Sequence, residues 1–402
     1  MKVVVIGLGY IGLPTAAVIA DKGIEVHGVD VNPSVVDTIN SGKIHIVEPE
    51  LDTVVKRVIE RGSLKASLTP EEGDVFLIVV PTPFRLNHRP DISYIESATR
   101  AILPFLKEGN LYIIESTSPV GTTERMADLI WKERPELKGK IHIAYCPERV
   151  LPGNVIYELE HNDRVIGGIN NESTDKAVAF YQLFVKGNKH PTNTRTAEMC
   201  KLTENSSRDV QIAFSNELSM ICDKAGINVW ELIELANKHP RVQILQPGCG
   251  VGGHCIAVDP WFIVSDFTEQ AQIIKRSRET NDYKADWCAN KTLEACFEFE
   301  KKTGREPIVA CMGLSFKPDI DDLRESPAKY IVSRIIAEAR AEILVVEPNV
   351  TSHKSFNLFP YQEAYNKADI VVWLVRHKPF LSITKQEDKI EMDFCGVRKT
   401  HL

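Results

Sequence analysis

The N-terminal segment constrains the fold of this chain more than any other part of the sequence. An apolar run at residues 3–6 leads into Gly7-Leu8-Gly9-Tyr10-Ile11-Gly12, and a helical stretch follows at residues 14–22. In this strand–turn–helix order the first glycine makes the turn, the second lets a pyrophosphate approach the backbone, and the third lets the helix pack on the strand. The order therefore predicts an α/β domain that binds a dinucleotide.

A carboxylate after the second predicted strand narrows the choice of dinucleotide. Residues 25–29 form that strand, and Asp30 follows it directly. An acidic side chain about 20 residues beyond such a glycine motif accepts hydrogen bonds from the ribose hydroxyls of NAD. Its negative charge would repel the 2′-phosphate of NADP. We therefore expect NAD as the cofactor.

Three further predicted strands end in polar or proline-marked loops. The strands cover residues 74–80, 110–115 and 141–145. Ligands of open parallel sheets bind at the carboxyl ends of the strands, although each loop by itself is also compatible with an ordinary turn. The loops predicted to form walls of a binding site are Pro81-Thr82-Pro83, Ser116-Thr117-Ser118-Pro119 and Cys146-Pro147-Glu148-Arg149.

A long predicted helix carries a polar stripe. Lys201, Asn205 and Arg208 are spaced at i, i+4 and i+7, which places them on one face. Glu198 and Glu204 each lie three residues from Lys201. The stripe is therefore also explained as a solvated face of ion pairs, which contribute only about 0.3–0.5 kcal/mol each.

A glycine-rich segment near the middle of the chain carries a candidate nucleophile. It runs Gly248-Cys249-Gly250-Val251-Gly252-Gly253-His254-Cys255 and continues to Asp259. Glycines let a backbone adopt positive φ and press against a ligand, and a thiolate at Cys255 could attack a carbonyl carbon. His254 and Asp259 lie nearby in sequence but need not face the thiol. A structural turn with a packed cysteine is the alternative.

The C-terminal part of the chain repeats the α/β pattern. Its first predicted strand opens into a polar loop that contains Lys317 and Arg324, where cations and a helix N-terminus could hold a diphosphate. A second doubly wound domain fits this order. The predicted elements are strands at residues 308–314, 342–346 and 369–375 and a helix at residues 326–339.

These elements predict three domains. The first is a Rossmann domain at residues 1–193, and the third is a Rossmann-like domain at residues 301–402. The second, at residues 194–300, is helical and contains the helices predicted at residues 196–225 and 229–238.

Composition excludes several classes of protein. Of the 402 residues, 43% are hydrophobic and 26% are charged, as expected for a globular protein with sizeable cores. The net charge of −7 argues against general nucleic-acid binding. Nine cysteines without a CxxC pair fit neither a disulfide framework nor a zinc ribbon, and eleven histidines without HxxxH or HxH spacing argue against a metal hydrolase. From the cysteine usage we expect a cytoplasmic protein. Because the chain starts with a predicted strand and has no apolar run of about 18 residues, we expect neither a signal peptide nor a membrane span.

Motifs along nearly the whole chain resemble the UDP-glucose/GDP-mannose dehydrogenase family. The resemblance implies two Rossmann-like doubly wound α/β domains joined by a central helical domain, with NAD as cofactor and a UDP-sugar as substrate. It also implies a homodimer formed by the central helices, with Arg241 acting across the subunit boundary. The motifs are GLGYIGLPTA, PTP, STSPVGTTE, CPERVLPG, TAEMCKLTENSSRDV, GVGGHCIAVDP and GLSFKPDIDDLRESPA.

The resemblance implies a four-electron oxidation of the sugar C6 alcohol to a carboxylate. Lys201 and Asn205 would hold the C6 oxygen, and Asp259 would accept its proton, with Lys201 as the competing base. Cys255 would add to the aldehyde and pass through a thiohemiacetal to a thioester, which water would then cleave. The residues expected to orient that water are Thr117 and Glu148.

The resemblance also implies two sets of binding residues. Those expected to contact NAD are Gly7, Gly9, Tyr10, Ile11, Gly12, Asp30, Thr82, Thr117 and, in the C-terminal domain, Arg324. Those expected to hold the nucleotide sugar are Arg149, Val150, Lys201, Asn205, Arg208, His239, Arg241, Gly252, Phe316, Lys317 and Arg398.

The branch of the family indicates which sugar is oxidised. The run NKHPRVQILQPGCGVGGHCIAVDPWFIV is similar to the acetamido-sugar branch, which implies UDP-N-acetyl-D-mannosamine as substrate and a role in bacterial surface polysaccharide synthesis. The UDP-glucose branch carries a second glutamate where this chain has Pro152, which argues against UDP-glucose. Two alternatives stay open: oxidation of UDP-N-acetylglucosamine at C6, and a catalytically silent nucleotide-sugar sensor.

Overall fold

The computed structural model describes residues 1–83, 89–150, 153–253 and 255–400. The chain divides into two compact units, Met1–Glu204 and Asn205–Leu402, and the boundary lies within one long helix. Pro152 and His254, to which the sequence drew attention, fall outside the described residues.

The first unit is built on an eight-stranded sheet. Its strand order is β3-β2-β1-β4-β5-β6-β7-β8, and the first six positions follow the Rossmann order. Pairing is parallel from β3 to β6, β7 is antiparallel to β6, and β8 is parallel to β7. The strands are β1 (Lys2–Ile6), β2 (Glu25–Val29), β3 (Leu64–Ser67), β4 (Val75–Ile78), β5 (Leu111–Ile114), β6 (His142–Tyr145), β7 (Arg164–Gly168) and β8 (Lys189–Asn193).

Both faces of this sheet are covered by apolar packing. In β1, Val3 and Val5 belong to the core on one face, while Val4 and Ile6 belong to the core on the other. Because successive side chains of a strand point to opposite faces, a continuous apolar run is what a strand buried on both sides requires. The helices are α1 (Gly12–Asp21), α2 (Pro33–Asn40), α3 (Leu51–Glu60), α4 (Ser93–Ile102), α5 (Thr122–Glu133), α6 (Val155–His161), α7 (Asn171–Tyr181) and the long α8 (Thr194–Ala225).

The second unit combines helices with a four-stranded sheet. The sheet is parallel, in the order β10-β9-β11-β12, and also has an apolar core on each face. Its helices are α9 (Val229–Ala236), α10 (Asp259–Asp266), α11 (Gln272–Thr303), α12 (Pro327–Glu338) and α13 (Tyr361–Lys367). Its strands are β9 (Ile308–Met312), β10 (Glu342–Val346), β11 (Ile370–Trp373) and β12 (Ile390–Asp393).

The predicted fold class is confirmed: both sheets are doubly wound, and helices α8 to α11 precede the second one along the chain. The antiparallel strand β7 and the long helix α11 were not predicted. The three domain boundaries stay a prediction. In the part of the chain that the structure describes, no helix combines the length and the apolar character that a membrane crossing needs.

Candidate functional site

The glycine motif after β1 has the geometry that a dinucleotide requires. Gly7 has φ +96°, and a Cβ there would lie 2.3 Å from the Val79 carbonyl oxygen; a Cβ on Gly12 would lie 1.8 Å from the Gly7 carbonyl oxygen. Beside Gly9, by contrast, no described atom lies within 4 Å of the position of a Cβ. The first and third glycines therefore pack against the protein, and the second leaves open space for a ligand.

Asp30 stands at the end of β2 and is held in place by backbone donors. The Leu8 N–H donates to Oδ2 at 3.0 Å, and the Asn32 N–H donates to Oδ1 at 2.9 Å. Tyr10, in the glycine loop, is half exposed. These residues fit NAD, because a fixed carboxylate keeps further acceptor capacity for ribose hydroxyls beside an open glycine loop.

Two of the predicted loops meet at the carboxyl ends of β4 and β5. The Thr82 hydroxyl donates to the Thr117 carbonyl oxygen at 2.7 Å, and the Val80 N–H donates to the Ser116 hydroxyl at 2.9 Å. The structure therefore brings Thr82 and Thr117 together, as expected from their positions in a parallel sheet.

Glu148, after β6, belongs to a buried charge cluster. Arg164, at the start of β7, donates from Nη1 to Glu148 Oε2 at 2.5 Å, and the Arg149 N–H donates to Oε1 at 2.6 Å. Glu148 is 8% and Arg164 2% exposed. Beside them, Tyr181 donates to Glu115, and burial raises the pKa of Glu115 to about 7 although the Arg164 charge opposes this shift. Arg164 was not predicted as a site residue, because its partner comes from another strand.

The start of α8 does not form the solvated ion-pair face that was considered from sequence. Glu198 is fully buried and accepts from the N–H groups of Gly121 and Thr123 at 2.6 and 2.8 Å, and Glu204 pairs with Arg149 at 2.8 Å. Lys201 is half-buried, and its ammonium makes no ion pair with a residue that the structure describes. Val150, beside Arg149, is also half-buried.

Cys255 lies in a tight turn that begins α10. Its side chain is exposed, and its carbonyl oxygen accepts from the Asp259 N–H at 2.8 Å and the Val258 N–H at 3.1 Å. Asp259 is 3% exposed, and its Oδ2 accepts from the Asn205 amide at 2.6 Å. The predicted thiol thus opens a turn that leads into α10, whose first residue is the predicted base, and that base accepts a hydrogen bond from Asn205.

The glycines before Cys255 pack against the loop after β9. A Cβ on Gly252 would lie 2.7 Å from Phe316 Cβ, and a Cβ on Gly253 would lie 2.8 Å from Phe316 Cε2. The Gly253 N–H also donates to the Arg324 carbonyl oxygen at 3.2 Å. Gly252, Phe316 and the backbone of Arg324 are therefore neighbours, and only residues without a Cβ allow this approach.

Buried amides hold the beginning of the same loop. The Gly248 N–H donates to Asn216 Oδ1, and the Asn216 amide donates to Asn281 Oδ1, both at 2.9 Å. Asn281 in turn donates to Asp209 at 2.8 Å, and Arg278 pairs with Asp209 at 2.7 Å. These supporting residues were missed because Arg278 and Asn281 belong to α11, which was not predicted.

The remaining predicted cations differ in their surroundings. Lys317, Arg208, His239 and Arg241 are exposed. Arg324 pairs with Asp322 at 2.6 Å. Arg398 donates to Glu391 at 2.6 Å and lies over the Trp373 ring at 4.9 Å, contacts that by themselves explain its position.

Among the described residues, no group of three or more His, Cys, Asp or Glu side chains is placed to hold a metal ion. All nine cysteines lie in the described ranges, and they are thiols that form no disulfide with one another.

Comparison with known proteins identifies the family. The NAD binding domain of the UDP-glucose/GDP-mannose dehydrogenase family matches residues 1–185, its central domain residues 195–283, and its UDP binding domain residues 310–398. A Campylobacter jejuni protein named UDP-N-acetyl-D-mannosamine dehydrogenase is 55% identical over 98% of this chain and 99% of its own. A Ralstonia nicotianae protein named NDP-N-acetyl-D-galactosaminuronic acid dehydrogenase is 52% identical over 98% of this chain and 95% of its own.

A solved structure agrees with these relatives. The UDP-D-ManNAc dehydrogenase from Pyrococcus horikoshii superposes with a TM-score of 0.88 at 38% identity, covering 99% of this chain and 96% of that one. The matched ranges include the glycine loop, Asp30 and the segment around Cys255. The chain therefore belongs to the UDP-glucose/GDP-mannose dehydrogenase family.

Proposed function

We propose that this protein oxidises UDP-N-acetyl-D-mannosamine at C6 to UDP-N-acetyl-D-mannosaminuronate, with NAD as the oxidant. The observation that carries the proposal is the exposed thiol of Cys255, which shortly precedes Asp259 in the sequence, together with the hydrogen bond from Asn205 to Asp259. The chain is also 55% identical to a relative named for this reaction. A catalytic thiol is useful here because it converts an aldehyde into an adduct that can lose a second hydride.

The first oxidation needs a base and a group that stabilises negative charge on the C6 oxygen. Asp259 is the proposed base, and the Asn205 amide orients its carboxylate through the 2.6 Å hydrogen bond. Lys201 lies one helical turn before Asn205 on α8 and supplies a positive charge for the developing alkoxide. Bound NAD would accept one hydride in each of the two oxidations.

The second oxidation proceeds through a covalent adduct on Cys255. The thiol loses its proton, and the sulfur bonds to the aldehyde carbon to form a thiohemiacetal. Loss of the remaining hydrogen on C6 as hydride, and of the hydroxyl proton, leaves a thioester. One water then adds to the thioester carbon, the carbon–sulfur bond breaks, and the products are the carboxylate and the regenerated thiol.

Glu148 and Thr117 are proposed to orient the water that cleaves the thioester. Arg164 and the Arg149 N–H hold the two oxygens of Glu148, which favours a fixed carboxylate. Such a carboxylate orients water through an acceptor lone pair.

The homodimer and the role in surface polysaccharide synthesis are part of the same proposal. Phe214 and Ile221 are spaced at i and i+7 on α8, and both are more than half exposed, as expected of a helix face that a second subunit covers. Light scattering of the purified protein tests this point; a monomeric mass at micromolar concentration contradicts it.

A second candidate substrate is a nucleotide-linked N-acetylgalactosamine. The relative named NDP-N-acetyl-D-galactosaminuronic acid dehydrogenase, at 52% identity over 98% of this chain, is the specific observation in its favour. The experiment that separates the candidates compares initial rates on UDP-linked N-acetylmannosamine, N-acetylglucosamine and N-acetylgalactosamine at equal NAD.

NADH formed per sugar consumed tests the four-electron chemistry in the same experiment. We expect the highest kcat/KM with the mannosamine epimer and two NADH per sugar. One NADH per sugar would contradict the covalent route, and binding without NADH release would indicate a sensor.

A further inference from the structure

Two carboxylates occupy corresponding positions in the two Rossmann-like sheets. Asp30 follows β2, and Glu347 follows β10. Asp30 accepts from the Leu8 N–H at 3.0 Å, and Glu347 accepts from the Leu314 N–H at 2.8 Å; each of these leucines follows the glycine at the end of its sheet's first strand. In a dinucleotide domain this carboxylate would meet a ribose.

Both carboxylate oxygens of Glu347 already accept hydrogen bonds from the protein, so Glu347 does not bind a ribose. The N–H groups of Leu314 and Ser315 donate to its Oε2 at 2.8 and 3.0 Å, and so does His377 Nε2 at 3.1 Å. Asn349 donates to Oε1 from its backbone at 3.0 Å and from its amide at 3.1 Å. Burial by itself would raise the pKa of Glu347, but the hydrogen bonds from His377 and the backbone more than offset it, so the pKa lies below the usual value.

His377 is the second member of a buried pair. It is fully buried, and its Nδ1 accepts from the Asp319 N–H at 3.0 Å. Because a backbone N–H can only donate, Nδ1 is the acceptor of this bond, and Nε2 is the ring nitrogen that donates to Glu347. The ring meets the Phe380 ring edge-on at 5.2 Å, which fixes its plane.

The pair holds both ends of the loop that carries Phe316 and Lys317. Glu347 binds the loop at the N–H groups of Leu314 and Ser315, and His377 binds it at the Asp319 N–H. The Ser315 hydroxyl, 3.4 Å from His377, donates to the Lys317 carbonyl oxygen at 2.7 Å. Asp319 has φ +62°, a left-handed conformation that is uncommon for residues with a side chain, although aspartate adopts it more readily than most.

We infer that Glu347 and His377 are positioning residues that fix the backbone of residues 314–319 so that Phe316 and Lys317 are preorganised for the uridine diphosphate of the substrate. The inference rests on the proposed function and on the expectation from the sequence that Phe316 and Lys317 hold the nucleotide sugar. A ligand that meets a preorganised loop does not have to supply the free energy of ordering it. Loss of the pair therefore weakens binding of UDP and of the UDP-sugar, and leaves the chemical steps at Cys255 unchanged.

The test replaces His377 in the full-length protein and uses UDP alone as the probe. His377→Phe keeps an aromatic ring and removes the hydrogen bonds of Nδ1, to the Asp319 N–H and the Asn349 amide, and those of Nε2, to Glu347 and the Ser315 hydroxyl. We expect its UDP Kd and its KM for the sugar to rise about tenfold, since buried groups lose their partners. NAD affinity and kcat at saturating sugar should change by less than about twofold. His377→Gln, which can still donate to Glu347 and accept from Asp319, should recover part of the loss.

His353→Phe is the matched control, because His353 is only partly buried, stacks on Phe356 and donates nothing to the 314–319 loop. It should bind UDP as the wild type does. A UDP Kd of His377→Phe equal to that of this control overturns the inference.

If His377→Phe does not fold, as judged by circular dichroism, Ser315→Ala replaces it. That variant removes only the hydroxyl that joins the pair to Lys317, and an unchanged UDP Kd there also overturns the inference. Failure of the proposed function looks different, because the wild-type protein itself would then fail to oxidise any UDP-hexosamine.

Discussion

Replacing Arg164 by methionine should destabilise the first unit strongly. The guanidinium is 2% exposed, bonds Glu148 at 2.5 Å and the Leu159 carbonyl oxygen at 3.2 Å, and lies 5.7 Å from the Tyr181 ring. Methionine keeps most of the apolar stem but leaves the buried Glu148 carboxylate without its counter-charge. Breaking a buried ion pair from one side costs about 3–5 kcal/mol.

The matched control is Arg57→Met, which breaks an ion pair of similar geometry on the surface. Arg57 makes two hydrogen bonds of 2.9 Å to Asp21, but its side chain is 44% exposed and that of Asp21 is 29% exposed. Exposed pairs of this kind contribute about 0–1 kcal/mol. The two variants therefore differ in burial of the pair and not in the residue exchanged.

Urea unfolding followed by circular dichroism measures the free energy of unfolding of both variants. Hydrogen exchange of peptides covering β6 and β7 locates the loss within the first unit, because local opening exposes the amides of those strands. We expect the Arg164 variant to lose several times more stability than the control, with faster exchange in these peptides. Equal losses in the two variants would refute the argument that burial makes this pair essential.

Three further predictions concern the chemistry, the cofactor and pH. Cys255→Ser should stop net acid formation while UDP-sugar and NAD still bind, because the thiol acts after recognition; undiminished acid production, measured by product analysis, would exclude the covalent route. The carboxylate of Asp30 should give a higher kcat/KM with NAD than with NADP in parallel initial-rate assays, and the opposite ratio would contradict its role. Burial raises the pKa of Glu115 to about 7, above its unfolded value near 4.3, so the stabilisation from its proton is complete below the unfolded pKa and is lost as pH rises through about 7. In Glu115→Gln, the urea concentration at the unfolding midpoint should therefore fall less steeply with rising pH over this range. A pH dependence equal to that of the wild type would show that another group titrates.

Strands with continuous apolar runs were predictable in type and position. β10 begins and ends at the predicted residues, and β1 contains the apolar run predicted at residues 3–6, since a strand buried on both faces is apolar along most of its length. β2 also has the predicted bounds, although it contains a glutamate and a histidine. Helix α11 was missed for the converse reason. Its buried side includes small residues such as Ala285 and Ala289, together with Arg278 and Lys284, so the helical period of large apolar residues is weak.

The candidate site divides in the same way. Residues in local motifs were predicted. The glycine loop and the Cys255 segment are recognised from neighbouring residues, and Asp30 is recognised from its position directly after a predicted strand. Glu347 and His377 were not predicted, although Glu347 directly follows β10 and His377 lies shortly after β11. Neither belongs to a motif, and their roles depend on contacts with Leu314 and Asp319.

The amino-acid sequence by itself determined the fold class, the cofactor and the family of this protein. The reason is that these features depend on short-range patterns: glycines indicate the turn, an apolar run indicates the strand, and an acidic residue after a strand indicates the ribose contact. Only the tertiary structure decided which polar groups become buried partners, such as Arg164 with Glu148 and Asn205 with Asp259. The physical reason is that desolvation and pairing depend on the distance between side chains that are far apart along the chain, and a linear pattern carries no information on that distance.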